Sequence, residues 1–402
     1  MPEAPRLITT ADDLQALAEQ VRAGGRLALD TEFVWERTYG PTLGVVQIAT
    51  EGAVAVLDAI ALPDLEPLFP LLRDPAIPVV LHGGGQDLEI FAQLMGEPIR
   101  AVVDTQVLAA FLGYGLQIGL LPLLERALKV RIRKDQTYTD WTRRPLKPEQ
   151  VVYAREDVVH LLLLHDKLQH GLVSRGRVEW ATEELRTLED PGRYAPLPDE
   201  ERYQAVKGWQ RLGGKELAVL RAIAAWREQA ARRANIRPGF IANDVVLTSL
   251  AARPVASVEE LRGVRGLSPG TVDRHGRALV AAIKEGVACP KERWPEPPGR
   301  TRRQSPPTGL GALLRAAVQT VADREEIAPE VIAGTRDIEA LAGRAGSGGL
   351  DELPEDLPIA HGWRRKLVGE TMLAIARGET AMRYDPVKRE VLGEPVAARA
   401  KR

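Results

Sequence analysis

Residues 27–33 read "LALDTEF", an apolar run that closes on two acids, Asp30 and Glu32, separated by one residue. The run has the character of a buried strand, and in a strand residues i and i+2 project to the same face. Asp30 and Glu32 therefore point together while Thr31 faces away. Two like charges in one pocket raise a pKa or push the groups apart unless a cation sits between them. The plainer alternative is that both lie at the solvated end of the strand.

Working outward, "TADDLQALAEQVRA" (10–23) has apolar positions at helical spacing, with Thr10 as N-cap before an acidic first turn. "LGVVQIAT" (43–50) and "AVAVLDA" (53–59) read as second and third strands, giving an antiparallel meander. Alternation follows: "LEPLFPLLRD" as helix, "PVVLHG" as strand, "DLEIFAQLMG" as helix, "IRAVVD" as strand and "TQVLAAFLG" as helix. Strands alternating with helices after a meander predict an α/β fold, a mixed sheet with helices on both faces. From about residue 115 the chain reads as almost entirely helical.

The 402 residues suffice for two or three domains, and 45% apolar with 5% aromatic residues describes a helix-rich globular protein. A net charge of −1 gives no global pull toward polyanions, so nucleic-acid binding has to come from local basic surfaces or bridging metal ions. Cys289 is the single cysteine, which excludes an internal disulfide and argues against a thiolate metal site. No signal-peptide pattern opens the chain, and no uncharged apolar stretch approaches the roughly 18 residues of a membrane span. A cytoplasmic protein without a membrane partner is expected.

More acids join the first pair. "LHGGGQDLEIF" (81–91) sets Asp87 after a Gly-rich turn at a helix start, where a carboxylate caps free amides or binds metal. "YAREDVVHLLLL" (153–164) places Tyr153 and Asp157 at i and i+4 on one helical face, with Asp157 at the edge of an apolar run. His82, ending a strand, reads as a hydrogen-bonded group beside the site, and Asp104, before "TQVLAAF", reads as an N-cap. In "KDQTYTDWTRRPL" (134–146), Lys134, Arg143 and Arg144 stand near Tyr138 and Trp141, a mixture that grips phosphate and stacks bases or else forms a structural loop.

The ordered set, Asp-x-Glu on a strand, Asp after a His-bearing turn and Tyr-x-x-x-Asp on a late helix, resembles the tyrosine-containing branch of the DEDD exonuclease superfamily, and within it the ribonuclease D family. "LDTEFVWERTYGPTLGVVQIA", "LHGGGQDLEIF", "VVDTQVLAAFLGYG" and "YTDWTRRPLKPEQVVYAREDVVHLLLL" look like its successive landmarks across residues 27–165. The resemblance implies a ribonuclease H-like sheet and two Mg²⁺ or Mn²⁺ ions held by Asp30, Glu32, Asp87 and Asp157. Oxygen ligands suit such hard cations, and a pair of them can hold both the attacking and leaving oxygens of a phosphodiester. It further implies that Asp30 bridges the ions, that Glu32 and Asp157 serve the ion on the side of the attacking water, and that Asp87 supports the other. Tyr153 would orient that water, since a phenol with a pKa of about 10 is a poor base at neutral pH. Phe33 and Gln106 join His82, Trp141, Arg143 and Arg144 as expected neighbours of the site or of the substrate.

The resemblance assigns residues 1–190 to the exonuclease domain. A Pro- and Gly-dense linker covers 191–207. Segment 208–290, with "GKELAVLRAIAAWREQAARRANI" and "LRGVRGLSPGTVDRHGRALVAAI", looks like an HRDC domain in which Arg227, Arg232, Arg233 and Arg237 offer a nucleic-acid surface or a solvated helix face. A Pro/Arg-rich linker, 291–308, leads to 309–385, which resembles a diverged all-helical HRDC-like domain, and 386–402 is expected to be a flexible tail. The expected function is removal of 5′-mononucleotides from RNA 3′ ends, tRNA precursors among them, with no obligate protein partner. A DNA exonuclease and an inactive nucleic-acid-binding protein are the competing expectations.

Overall fold

The computed structural model describes residues 6–35, 38–132, 140–297, 308–346, 350–387 and 390–396. After a short strand β1 (Arg6–Ile8), the Thr10 hydroxyl accepts the backbone N–H of Asp13 and starts helix α1 (Ala11–Gly24), as its spacing predicts. Gly25, at φ 71°, stops that helix in the left-handed region that only glycine enters at no steric cost. The chain then enters β2 (Leu27–Val34), β3 (Thr42–Thr50) and β4 (Ala53–Asp58), an antiparallel meander. β5 (Val79–Leu81) and β6 (Val102–Asp104) follow. One sheet results, in the order β1-β4-β3-β2-β5-β6, with β1 parallel to β4, β5 parallel to β2 and β6 parallel to β5.

Alternation along the strands sends side chains to two differently covered faces. Leu29, Ile48 and Leu57 face α1, α2 (Phe69–Arg73) and α3 (Gly85–Met95), packing with Leu14, Leu72 and Phe91. Ala28, Ala49 and Val80 face the opposite way, into a core with Val158, Leu161 and Leu164. The helices on this side are α4 (Thr105–Ala110), α5 (Leu120–Leu128), α6 (Pro148–Val158), α7 (Leu161–Ser174) and α8 (Val178–Arg186).

A short α9 (Pro191–Tyr194) leads to an all-helical unit of α10 (Gly214–Ala234), α11 (Pro238–Ile241), α12 (Asp244–Ala252), α13 (Val258–Arg262) and α14 (Pro269–Val287). Its core, Leu217, Ile223, Leu250 and Leu279 among others, is separate from the sheet's, and Tyr203 and Val206 from the expected linker are built into it.

The last segment departs from expectation. Helices α15 (Thr308–Glu325), α16 (Pro329–Ile332), α17 (Thr335–Gly346), α18 (Gly362–Arg364) and α19 (Glu370–Ala376) are joined by a hairpin of β7 (Thr380–Asp385) and β8 (Glu390–Pro395). The segment is therefore not all-helical, and residues 390–395 of the expected tail are a strand; 397–402 lie outside the described residues. Nor does it keep a core to itself. Leu314, Ile332, Trp363 and Met372 share one apolar cluster with Phe111, Leu164 and Leu172 of the sheet-bearing part. Across that seam Trp180 stacks on Trp363 at 5.0 Å, and Arg177 donates to the carbonyls of Phe111 and Glu325 at 2.8 and 2.5 Å. Among the described residues no helix is long and apolar enough to cross a membrane.

Candidate active site

The sheet's register decides where the first two acids go. Asp30 lies opposite Gln47 and Glu32 opposite Val45, on the face covered by α6 and α7. β5 pairs with β2 only at Leu27 and Ala28. Beyond that pairing, the edge of β2 that carries the acids borders a cavity of about 400 Å³.

Asp30, Glu32, Asp87 and Asp157 all line this cavity, together with Phe33 and His82. Asp87 arrives from the first turn of α3 and is 7% exposed; Asp157 arrives from the last turn of α6 and is 5% exposed. Thr31, on the opposite face of β2 from the acid pair, donates its hydroxyl to Asp87 Oδ1 and so ties α3 to the strand. Burial pushes the Asp87 carboxyl above the usual carboxylate range against the Thr31 hydrogen bond, and the charge of Asp104 adds to that push. Among the described residues, the lining holds no lysine or arginine. No three acidic, histidine or cysteine side chains among the described residues close into a ligand set. The donor chemistry, oxygen only and anionic, fits hard divalent cations.

Tyr153 comes from the same helix as Asp157. It sits one turn before Asp157 on α6, 8% exposed, with its ring 5.9 Å from that of Trp141. Trp141 is 3% exposed and fills a small core with Val45, Val56 and Ala154. Its close approach to β3 needs Gly44, because a Cβ there would meet the Trp141 carbonyl oxygen at 2.6 Å.

Other expected neighbours take structural roles. Arg144 makes a two-pronged ion pair with Asp58 at 2.6 and 2.7 Å and donates to the carbonyls of Trp141 and Gly44. Burial favours the neutral Asp58 carboxyl, but Arg144 and the backbone N–H groups of Ala61 and Ile60 outweigh it and hold that group below the usual carboxylate range. Arg143 is exposed beside this loop, while Lys134 and Tyr138 lie outside the described residues. Asp104 caps α4 and also accepts from the backbone of Gly83 and Gly84, fixing the turn before Asp87. His82 hydrogen-bonds Thr105 and the Ile118 carbonyl, to which Gln106 also donates. In the helical unit Arg227, expected on a nucleic-acid surface, is instead buried against Asp244 and the Ala242 carbonyl. Arg232 pairs with Asp199 and donates to the Tyr39 hydroxyl, leaving Arg233 and Arg237 exposed.

The roles of Thr31, Asp58, Gln47 and Tyr39 are not written in any motif of the sequence. Asp58 carried the same visible signal as Asp30, an acid closing an apolar strand, but no second acid beside it.

Two family models match the chain: a 3′-5′ exonuclease over residues 5–172 and an HRDC domain over 216–283. Ribonuclease D of Acidiphilium cryptum is 37% identical over 97% of this chain and 98% of its own length. That of Gluconacetobacter diazotrophicus is 36% identical over 95% of both. The crystal structure of Escherichia coli RNase D, described as an exoribonuclease involved in structured RNA processing, superposes with a TM-score of 0.82 at 31% identity, over 94% of this chain and 99% of that one. Likeness that runs through the sheet, the helical unit and the last segment alike is that of a whole protein, and the chain belongs to the ribonuclease D family of metal-dependent 3′-to-5′ exoribonucleases.

Proposed function

We propose that the acid-lined cavity is where this exoribonuclease cuts, releasing 5′-mononucleotides from the 3′ ends of structured RNAs such as tRNA precursors. The observation that carries this reading is that carboxylates from β2, α3 and α6 line one cavity. Asp30, Glu32, Asp87 and Asp157 are the groups that would hold two divalent ions, Mg²⁺ or Mn²⁺. Bound ions supply charge neutralisation at the scissile phosphate and an acidified water. The chain's own residues do the rest. Thr31 and Asp104 hold Asp87 and its turn in place, and α6 sets Tyr153 and Asp157 on one face, where the Tyr153 hydroxyl orients the attacking water. Phe33, in the cavity wall, offers a ring against which a terminal base can stack.

The test is incubation of the full chain with 3′-labelled RNA and DNA oligonucleotides in Mg²⁺, Mn²⁺ or EDTA. Single nucleotides should leave RNA in either metal and none in EDTA. Asp30→Asn should abolish release while binding stays measurable, and near-normal cleavage by that variant would remove Asp30 from the site. Release from DNA alone would instead favour a DNA exonuclease. Tyr153→Phe should keep RNA binding and lose turnover by about 100-fold, the scale expected for a misplaced reactant.

A further inference from the structure

Gln47 is fully buried in the middle of β3, and neither its amide nitrogen nor its amide oxygen has a hydrogen-bond partner among the described residues. Buried polar groups are nearly always paired, because leaving one unmet in a low-dielectric interior costs stability. An aliphatic side chain of the same length would fill the position without that cost. The surroundings make the choice of glutamine stranger still. Same-face neighbours along β3 are Val45 and Ala49, and across the sheet the register gives Val56 of β4 on one side. Val45 and Val56 pack with Ala154 of α6.

On the other side the register gives Asp30. Side chains directly opposite in an antiparallel pair share a face and lie in contact range. Asp30 is thus the polar side chain that the register sets directly opposite Gln47. An ionised carboxylate is an acceptor only, and an amide NH₂ carries two donors. Such a pair has the chemistry of a ligand and the group behind it that fixes its orientation.

We propose that Gln47 is a positioning residue for Asp30: when a divalent ion enters the cavity, the Gln47 Nε2 donates to the Asp30 carboxylate and fixes which oxygen faces the ion. The inference rests on the reading of Asp30 as a metal ligand. It accounts for a glutamine at a buried site that no described residue satisfies, a local cost of the kind found where function needs the group.

The experiment uses the full chain as Gln47→Leu, Gln47→Met and Asp30→Asn, with melting temperature in EDTA, the Mn²⁺ concentration at half of the Mn²⁺-induced melting shift, and RNA turnover as readouts. Gln47→Leu and Gln47→Met should melt at or above the parent in EDTA, because an unpaired buried amide has been removed. Their Mn²⁺ midpoint should rise by about tenfold or more, the usual scale for losing such a supporting hydrogen bond. Turnover should fall at low Mn²⁺ and recover in excess. An unchanged midpoint, or a lower melting temperature in EDTA for both variants, would overturn the proposal and make Gln47 a structural amide. If Asp30→Asn itself keeps the parent's midpoint and turnover, the reading of Asp30 fails; if it loses both while the Gln47 variants lose neither, only the inference about Gln47 fails.

Discussion

Asp58 and Arg144 show how a pair remote from the cavity can bear on it. Arg144 binds the Asp58 carboxylate with two nitrogens and, through the Trp141 carbonyl, holds the ring that packs on Tyr153. Breaking a largely buried pair by removing one charge costs about 3 kcal/mol, because the partner is left unmatched. Asp58→Asn should therefore lower stability in urea titration at neutral pH and slow turnover with little change in RNA affinity. The pH dependence has a definite sign. Asp58 titrates lower in the folded chain than in the unfolded one, so its contribution is present above the unfolded pKa and is lost as pH falls through the depressed one. The stability gap between parent and Asp58→Asn should thus narrow below about pH 4, and a gap independent of pH would show that the charge is not what matters. At this scale the sequence disclosed the acids but not the partners of the arginines. A carboxylate beside an apolar run is a conflict visible locally. The carboxylate that takes Arg144 lies 86 residues away, and the one that takes Arg227 lies 17 away, so both arginines looked free to meet phosphate.

At the scale of elements, the long helices and the meander were legible because periodicity and capping residues agree with the packing: Thr10 caps α1, and Asp104 caps α4. β1 escaped notice because its three residues carry no pattern of their own and exist as a strand only beside β4. The β7–β8 hairpin escaped because no described residue of "TAMRYD" or "EVLGEP" is fully buried, so no buried face writes alternation into them. The seam between α8 and α18 illustrates how an element boundary can carry much of the stability. Trp363 packs edge-on to Phe111 at 5.5 Å and flat on Trp180. Trp363→Ala should cost about 4 kcal/mol, measured by urea denaturation. Because the seam is part of the common core, the loss should appear as destabilisation of the sheet-bearing part as well, seen as faster amide exchange in α4 and α7.

For the whole molecule, the apolar stripes of the last segment were readable, but not what covers them; a stripe says that something must, and the shared cluster shows that the sheet-bearing part does. The two helical parts are consequently attached in opposite ways. α10 to α14 keep their own core and meet the sheet-bearing part largely through polar groups, with the Tyr39 hydroxyl donating to Glu228 at 2.8 Å and accepting from Arg232 at 3.0 Å. Tyr39→Phe should lower the melting temperature measurably in a thermal scan, since it takes a hydrogen-bond donor from the buried Glu228 carboxylate. Removing everything after residue 297 strips Leu314, Ile332, Trp363 and Met372 from the common cluster and should leave a fragment that binds apolar dyes and aggregates, whatever its acids could do. A monomeric, fully active fragment would contradict the shared core. The same seam sets a timetable for the newborn protein. Domains emerging from a ribosome ordinarily finish in order, first made first folded. Here Phe111 waits for Trp363, about 250 codons later, so the nuclease should remain protease-sensitive on the ribosome until almost all of the polypeptide has been translated. Stalled nascent chains of increasing length, probed by brief proteolysis, would reveal whether the cutting end of the molecule is held back until then.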